Sequence, residues 1–352
     1  MTFDGQKILV VGGAGFVGSN LCHKLLEGDI GCIHIVDNLL SAEFENIPMD
    51  NRVQFDKGSI TDERVLKKIG VDFDYVFHLA TFHGNQSSIH DPIKDHEHNT
   101  VTTLKLCEHF KNVSRLKKFI YSSAGCTVAE KTYDNTEATE ENAQVSLYHD
   151  SPYQISKIIG EFYGNYYWMK HKLPFVKARF QNVYGPREIL GAGEWRGTAA
   201  TVWRNVTPTF IWKSLLKEAL PLENRGKASR DFIYVEDIVV GLIACAKSGK
   251  HGDVYNLASG VETNIKTLAE TINNLTENPT PIEYRGARDW DRSGKRFGAT
   301  EKSKKELGFK ANTTLEEGLQ KTIAWTKKNQ DLIIKTIKKH EQFMSQDLVK
   351  KV

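Results

Sequence analysis

Residues 7–18 read KILVVGGAGFVG, an apolar, β-branched run that passes into a glycine-rich segment. The apolar run predicts a buried strand, and the amphipathic stretch Ser19–Glu27 predicts a helix after it. Gly12, Gly15 and Gly18 lie between the two, where the chain turns tightly and its backbone can approach a phosphate closely. Because the start of a helix offers free N–H groups to an anion, the segment predicts the pyrophosphate site of a dinucleotide.

The next apolar run, Cys32–Val36, ends at an acid that supports the same interpretation. Asp37 stands nineteen residues after Gly18, at the end of the second predicted strand. An acid at this place binds the ribose hydroxyls of the adenosine half and repels the additional phosphate of NADP. Asp37, assisted by Asn38, therefore predicts NAD as the cofactor. A simple turn residue at a strand end is the alternative role for Asp37.

The overall composition restricts the classes of function that the protein can have. Of the 352 residues, 40% are hydrophobic and 26% charged, which is typical of a soluble globular enzyme. The net charge of +3 is too small to favour nucleic-acid binding, and the chain has no apolar run long enough to predict a membrane span. The five cysteines are dispersed without metal-type spacing, and the N-terminus does not resemble a signal peptide. We therefore expect a cytoplasmic protein with reduced thiols and no metal site.

Strands and helices alternate along the first half of the chain. Further strands are predicted at Val53–Lys57, Tyr75–Leu79, Lys118–Tyr121 and Val176–Arg179, and helices at Thr100–Lys111 and Pro152–His171. This alternation predicts an α/β protein built on a doubly wound parallel sheet. After about residue 182 the pattern becomes irregular, with a short strand at Arg230–Tyr234 and helices at 208–217, 235–246, 263–275 and 315–329. This second part predicts a smaller C-terminal substrate-binding lobe.

A tyrosine and a lysine in the helix Pro152–His171 indicate catalysis. Tyr153 and Lys157 lie one helical turn apart on the same face, about thirty residues after a strand that ends in the hydroxyl residues Ser122 and Ser123. A free tyrosine titrates near pH 10, so it needs a neighbouring positive charge to act as a base at neutral pH. The alternative is an ordinary tyrosine–lysine pair on a helix surface.

As a set, these motifs resemble the extended short-chain dehydrogenases/reductases of the NAD-dependent epimerase/dehydratase family, which act on nucleotide sugars. The motifs are GGAGFVG at 12–18, Asp37, HLA at 78–80, YSS at 121–123, the Tyr153–Lys157 pair, RFQNVYGPR at 179–187 and RDFIYVEDI at 230–238. The resemblance implies bound NAD, a UDP- or GDP-linked sugar as substrate, a role in polysaccharide biosynthesis, and a homodimer formed through the helices Thr100–Lys111 and Pro152–His171.

The resemblance also implies a division of the chain. It places an NAD-binding Rossmann domain at 1–182 and a nucleotide-sugar-binding lobe, interleaved with the first domain, at 183–325. A basic helical tail follows at 326–352, with seven lysines and three acids. A solvated terminal helix or a subunit contact is the expected state of this tail.

Residue roles follow from the same resemblance. Tyr153 takes a proton from a sugar hydroxyl while NAD takes the hydride, and Lys157 favours the phenolate and holds the nicotinamide ribose. The cofactor-binding residues implied are Gly12, Gly15, Phe16, Val17, Gly18, Asp37, Asn38, Ser59, Ile60, Leu79, Ala80, Thr81, Ser122, Tyr153, Lys157 and Val183. The substrate-binding residues implied are His83, Gln86, Ser87, Asn182, Arg230 and Arg288, with the arginines on the diphosphate. We expect His78, Asp231 and Asp237 to be structural.

The segment after the strand departs from the family pattern. Ala124 stands where the family carries a catalytic Ser or Thr. Ser123 is the predicted replacement, provided that the strand end bulges by one residue, and Thr127 is the alternative. Gly125 and Cys126 stand where dehydratases carry an Asp-Glu pair, so dehydration and decarboxylation are disfavoured.

Several reactions remain compatible with this segment. A 4-epimerase, which oxidises sugar C4 transiently and returns the hydride, needs no further acid or base and is the preferred interpretation. A C3/C5 epimerase similar to the GDP-mannose 3,5-epimerases, with Cys126 moving the proton, is the first alternative. A sugar-nucleotide dehydratase and a catalytically silent NAD-binding regulatory protein are the others. Cys126 can equally be a small residue that only fills space.

Overall fold

The computed structural model describes residues 3–82, 84–129, 132–134, 136–189, 205–287 and 294–339. The strands in chain order are β1 (Lys7–Val11), β2 (Cys32–Asp37), β3 (Val53–Lys57), β4 (Tyr75–His78), β5 (Lys118–Ala124), β6 (Phe175–Phe180), β7 (Asn182–Tyr184), β8 (Pro221–Glu223), β9 (Ser229–Tyr234), β10 (Val254–Leu257), β11 (Glu262–Asn264) and β12 (Glu283–Arg285). The helices are α1 (Phe16–Leu26), α2 (Glu63–Ile69), α3 (Asn85–His90), α4 (Pro92–Asp95), α5 (Thr102–Phe110), α6 (Pro152–His171), α7 (Val206–Leu215), α8 (Val235–Ser248), α9 (Ile265–Thr276), α10 (Glu301–Leu307), α11 (Leu315–Lys328) and α12 (Gln330–Lys339).

A central sheet of seven parallel strands organises the molecule, in the order β10-β6-β5-β4-β1-β2-β3. Strand β1, in the interior of the sheet, is buried on both faces, which explains why it reads as a continuous apolar run. The strand order reverses between β1 and β4, and ligands of such sheets bind at the carboxyl ends of the strands on either side of that point. This architecture confirms the predicted Rossmann fold class.

The second part of the chain builds a lobe and also completes the central sheet. A three-stranded sheet, β11-β9-β7, and a two-stranded sheet, β12-β8, pack with α7, α9 and α11 around a separate apolar core. The chain then returns through β10, which pairs with β6. The sequence did not predict β10 because Asn256 interrupts its short apolar run, and asparagine is unfavourable in strands. In the structure the Asn256 amide donates to the carbonyl oxygens of Thr139 and Ala299.

Two element boundaries differ from the prediction. Helix α1 begins at Phe16 instead of Ser19, because Gly15 already has the extended backbone of an N-cap residue. The helix predicted from Thr100 is preceded by α4 and by a π-helical turn, His96–Val101, which leads into α5.

The start of the basic tail is packed against the lobe. Ile333 and Ile337 of α12 are fully buried and contact Trp212 and Ile189. The apolar face of α12 covers these side chains, while the predicted solvated or subunit-contact state of the tail stays a prediction. Residues 340–352 lie outside the described residues.

Candidate active site

A cavity of about 970 Å³ opens along the carboxyl ends of the central strands and continues beneath the lobe. Every residue that the sequence analysis named as catalytic, cofactor-binding or substrate-binding lines it, apart from two. Those two, His83 and Arg288, lie outside the described residues. The predicted site residues therefore converge on one cavity, although they come from segments between Gly12 and Arg230.

The glycine turn between β1 and α1 has no room for side chains. A Cβ on Gly12 would lie 2.5 Å from the backbone nitrogen of Ala80, and Gly12 has a φ of +86°. A Cβ on Gly18 would lie 2.1 Å from the carbonyl oxygen of Gly12. The turn can therefore present its backbone and the start of α1 to a phosphate, which fits the pyrophosphate of NAD.

Asp37 connects this turn to the end of β2. Its carboxylate accepts hydrogen bonds from the backbone N–H groups of Ala14 at 3.1 Å and Leu39 at 2.9 Å. Burial raises the pKa of Asp37, and the backbone donors act against that rise. The carboxylate lies on the cavity wall beside the glycine turn, where a ribose hydroxyl can reach it.

Tyr153 and Lys157 project from the first turns of α6 towards the end of β5. The ammonium of Lys157 donates to the carbonyl oxygen of Ser122 at 2.8 Å, and its Nζ lies 5.9 Å from the centroid of the Tyr153 ring. Burial lowers the pKa of Lys157 to about 8, while Asp95 and Cys126 act in the opposite direction. A positive charge is thus held beside a nearly buried tyrosine on the cavity wall, and this arrangement favours the phenolate.

A buried polar network lies behind this pair, and the sequence did not predict it. Asn99, in the π-helical turn, donates to Asp95 at 2.7 Å and to the hydroxyl of Ser156 at 3.2 Å. Its amide oxygen accepts from the Phe82 N–H at 2.7 Å and the Thr81 hydroxyl at 2.9 Å. Burial raises the pKa of Asp95 to about 6. The network joins the loop after β4, which lines the cavity, to α6.

The strand end at Ser123 has no bulge, so that part of the prediction is wrong. Strand β5 pairs with β6 in unbroken register as far as Ala124, opposite Phe180. The Ser123 hydroxyl donates to Glu161 at 2.5 Å, and Glu161 accepts two hydrogen bonds of 2.8 Å from Arg179. Because β5 and β6 pair residue by residue, their register fixes the face of the sheet on which the Ser123 side chain lies.

The segment after β5 forms a single 3₁₀ turn, Gly125–Thr127. The Thr127 hydroxyl is buried and donates to the carbonyl oxygen of Ala124 at 2.8 Å. Cys126 is partly exposed and lines the cavity. Burial raises the pKa of the three buried thiols, which are Cys22, Cys107 and Cys245.

Several polar side chains line the other end of the cavity. Ser87 is 1% exposed, and its hydroxyl has no partner among the described residues. The guanidinium of Arg230 donates to the carbonyl oxygens of Ser229 at 2.7 Å and Gly294 at 2.5 Å, which fixes it at the cavity wall. Asn182, in β7, and Gln86, in α3, lie on the same wall. These groups can bind a diphosphate and a sugar.

Gln181 and Glu188 are two polar residues of the cavity that the sequence analysis did not name. Gln181 connects β6 to β7, and Glu188 follows the Gly-Pro-Arg sequence after β7. One oxygen of Glu188 accepts from Asn205, the other has no partner among the described residues, and burial raises its pKa to about 8. For Gln181 the signal in the sequence was a polar residue within the motif RFQNVYGPR, at a strand end; Glu188 follows that motif directly.

The three residues that were expected to be structural make hydrogen bonds within the protein that fit this role. His78 is buried, and its Nε2 lies 3.0 Å from the Thr103 hydroxyl. Asp231 accepts from the backbone of Ser259, Gly260 and Gly298. Asp237 accepts from the backbone N–H groups of Asn312 and Thr313.

The described residues contain no group of three or more His, Cys, Asp or Glu side chains placed to hold a metal ion. Within the same residues, no helix has the length and apolar character needed to cross a membrane.

Known proteins resemble this chain over nearly its whole length. Residues 8–258 match the model of the NAD dependent epimerase/dehydratase family. The Bordetella bronchiseptica enzyme WbmF, crystallised with NAD+ and UDP, is 56% identical, with a TM-score of 0.86 over 97% of this chain and 98% of that chain. An epimerase of Methanothermobacter thermautotrophicus is 38% identical, with a TM-score of 0.87 over 95% of each chain. A UDP-glucose 4-epimerase of Thermotoga maritima, crystallised with UDP-glucose, is 29% identical, with a TM-score of 0.83 over 92% of this chain and 99% of that chain.

The chain belongs to the NAD-dependent epimerase/dehydratase family. This confirms the family and the cofactor that the sequence motifs predicted.

Proposed function

We propose that this family member catalyses the NAD-dependent 4-epimerisation of a UDP-linked hexose. The observation that carries the proposal is the composition of the cavity wall at the end of β5. Tyr153 and Lys157 stand there together, while residues 124–127, AGCT, contribute no carboxylate. Elimination of water or carbon dioxide needs further proton-transfer groups at this place, whereas 4-epimerisation needs a single base.

The residues of this chain divide the work between binding and proton transfer. The glycine turn and Asp37 would hold NAD, which when bound accepts a hydride from sugar C4 and returns it. Tyr153 removes the proton from the C4 hydroxyl and later gives it back. Lys157 stabilises the phenolate by its charge, and with a pKa of about 8 it remains mostly protonated at neutral pH. Arg230 would neutralise the diphosphate.

The choice of uridine follows the relatives. WbmF is crystallised with UDP, and the Thermotoga maritima enzyme with UDP-glucose. A putative UDP-glucose 4-epimerase of Methanocaldococcus jannaschii is 29% identical over 92% of this chain and 99% of that protein. These relatives support UDP over GDP as the carrier.

The direct test is conversion followed by NMR. The holoprotein is incubated in separate reactions with UDP-glucose, UDP-galactose and their N-acetylated counterparts, and we expect one pair to interconvert. The Tyr153→Phe variant serves as the matched control, because it retains the ring and removes the phenol. If NAD binds tightly but none of these sugars changes at C4, the 4-epimerase proposal is wrong. Wild-type inactivity towards every nucleotide sugar would favour the silent regulatory protein.

A second candidate is epimerisation at C3 or C5. The position of Cys126 favours it, because this thiol is partly exposed on the cavity wall next to the strand end. In deuterated water a 4-epimerase that returns its own hydride puts no deuterium on carbon. Deuterium at C3 or C5 that disappears in Cys126→Ala would support the second candidate instead.

We also propose that the protein is a cytoplasmic homodimer serving polysaccharide biosynthesis, with α6 in the interface. Four large apolar side chains of α6 are exposed to solvent, each by 46–66% of its surface: Ile155, Phe162, Tyr166 and Met169. A second copy covering this stripe would remove it from water. Light scattering should give a dimer for the wild type and a monomer for Phe162→Glu. A monomeric wild type would contradict this proposal.

A further inference from the structure

Gln181 occupies a space that two glycines keep open. A Cβ on Gly125 would lie 2.1 Å from Nε2 and 2.7 Å from Oε1 of Gln181, and a Cβ on Gly298 would lie 2.8 Å from the same Nε2. Gly298 is held in place because its N–H donates to Asp231 at 3.2 Å. Three segments distant in the sequence therefore meet around one side-chain amide at the cavity wall.

No hydrogen bond of the Gln181 side chain is found within the part of the chain that the structure describes, although its amide lies against Gly125 and its Nε2 also lies against Gly298. A role in filling space would be met as well by leucine, which has a similar size and no polar atoms. The residue is partly exposed and lines the cavity, so its amide can pair with water or with a ligand that enters there. The arrangement therefore indicates a binding group.

The position of Gln181 restricts what it can bind. It is the single residue between β6 and β7, and it lies against Gly125, the neighbour of Cys126. The glycine turn and Asp37, which would hold the dinucleotide, lie on the wall formed by β1 and β2. Gln181 therefore lies away from the adenosine half of NAD, and its neighbour in the chain is Asn182, which was predicted to bind the substrate.

We propose that Gln181 is a specificity-determining residue that binds the acylamino group of an N-acylated UDP-hexosamine. An amide carries a donor and an acceptor side by side, and another amide complements both at once. A hydroxyl engages one of the two at a time and leaves the other unpaired. This inference deepens the proposed function and rests on it for the presence of a nucleotide sugar in the cavity.

The test compares affinities by calorimetry for UDP, UDP-glucose and UDP-N-acetylglucosamine, using the holoprotein. We expect the wild type to bind the N-acetylated sugar at least ~10-fold more tightly than UDP-glucose, since an unpaired polar group in a site costs about that much. Gln181→Leu should abolish this preference and leave the affinity for UDP unchanged. Gln320→Leu, an exposed glutamine on α11, is the matched control and should behave as wild type.

A second variant moves the amide without removing it. Gly125→Ala places a methyl group on the flexible end of Gln181 and should abolish the same preference. A wild type without the preference, or a Gln181→Leu variant that retains it, would overturn the proposal. The calorimetry compares affinities and the NMR assay follows conversion at C4, so these outcomes are distinct from a failure of 4-epimerisation.

Discussion

The two ends of the cavity are built in different ways. At the cofactor end the decisive contacts are made by the backbone: Gly12 approaches Ala80, and Gly18 approaches Gly12. At the sugar end they are made by side chains that cross between distant segments. Ser123 bonds to Glu161 of α6, and Gln181 lies between two glycines of other segments.

This difference decides which substitutions each end of the cavity tolerates and how well each end can be recognised in the sequence. A backbone that must approach another backbone accepts only glycine, so the glycine itself indicates the close approach in the sequence. A side chain that meets a partner far away in the sequence can be exchanged when the partner changes with it. The cofactor end should therefore be sensitive to single substitutions, whereas the sugar end should change its preferences.

The largest effect is expected at Lys157, which lies between the two ends. Lys157→Met should lower kcat by ~10²–10⁴-fold, because the phenolate loses its stabilising charge. The substitution should also change how the stability of the protein depends on pH. The folded wild type holds fewer protons than the unfolded chain between pH 8 and 10.5, since burial lowers the pKa of Lys157 from 10.5 to about 8. Wild-type stability should therefore rise through that range, and the variant should lose this rise.

Denaturation at several pH values and the NMR assay measure both effects. Lys105→Met is the control, because this lysine pairs with Glu63 on the surface. A variant that keeps its turnover would remove Lys157 from the proposed mechanism.

The next largest effect is expected at Gly12. Gly12→Ala should weaken NAD binding by ~100-fold or more and destabilise the protein by about 2–4 kcal/mol, because the methyl group would lie 2.5 Å from the Ala80 backbone. Gly70→Ala separates the two causes. Gly70 has a similar φ of +65° but nothing within 4 Å of its Cβ position, so the variant should cost about 1 kcal/mol and leave NAD binding intact. Equal NAD affinities for both variants would contradict the close-approach argument.

The same contrast explains which features the sequence could predict. Strands β1 to β6 and the glycine turn were predicted because burial and backbone geometry restrict the residue types directly. The segment RFQNVYGPR was also recognised, yet its Gln181 was passed over. Its partners, Gly125 and Gly298, become neighbours only when β6, β5 and the lobe are assembled. The prediction of a bulge at Ser123 was wrong for a related reason. The pairing with β6 fixes the conformation of the strand end, and the sequence of one strand does not contain that information.

Asp95 belongs to the buried polar network behind Tyr153 and Lys157, and its substitution should have a smaller effect. Its folded pKa of about 6 lies above the usual 3.8, so the folded protein holds more protons between these values and loses stability as pH rises through them. Asp95→Asn removes this loss and should stabilise the protein at pH 7 by ~1–3 kcal/mol, with no gain below about pH 4. The pKa of Asp91 is instead lowered by the Lys94 N–H, so Asp91→Asn should not stabilise. Denaturation across pH 3–8 distinguishes the two variants.

The smallest effect on turnover is expected at Ser123. Its hydroxyl already donates to Glu161, which Arg179 holds by two hydrogen bonds of 2.8 Å. Ser123→Ala should therefore cost about 1 kcal/mol of stability, the value of one buried hydrogen bond, and change kcat by less than ~3-fold. Ser303→Ala is the matched control, since its buried hydroxyl donates to the Asn256 carbonyl oxygen at 2.6 Å and lies outside the cavity lining.

A decrease in kcat of ~30-fold or more in Ser123→Ala alone, with stability unchanged, would contradict this expectation. Such a decrease corresponds to about 2 kcal/mol, which is more than a hydroxyl bonded inside the protein can contribute to a transition state. Ser123 would then have to leave Glu161 and bond to the sugar. The sugar end would in that case be assembled by the substrate, and its contrast with the preformed cofactor end would become larger.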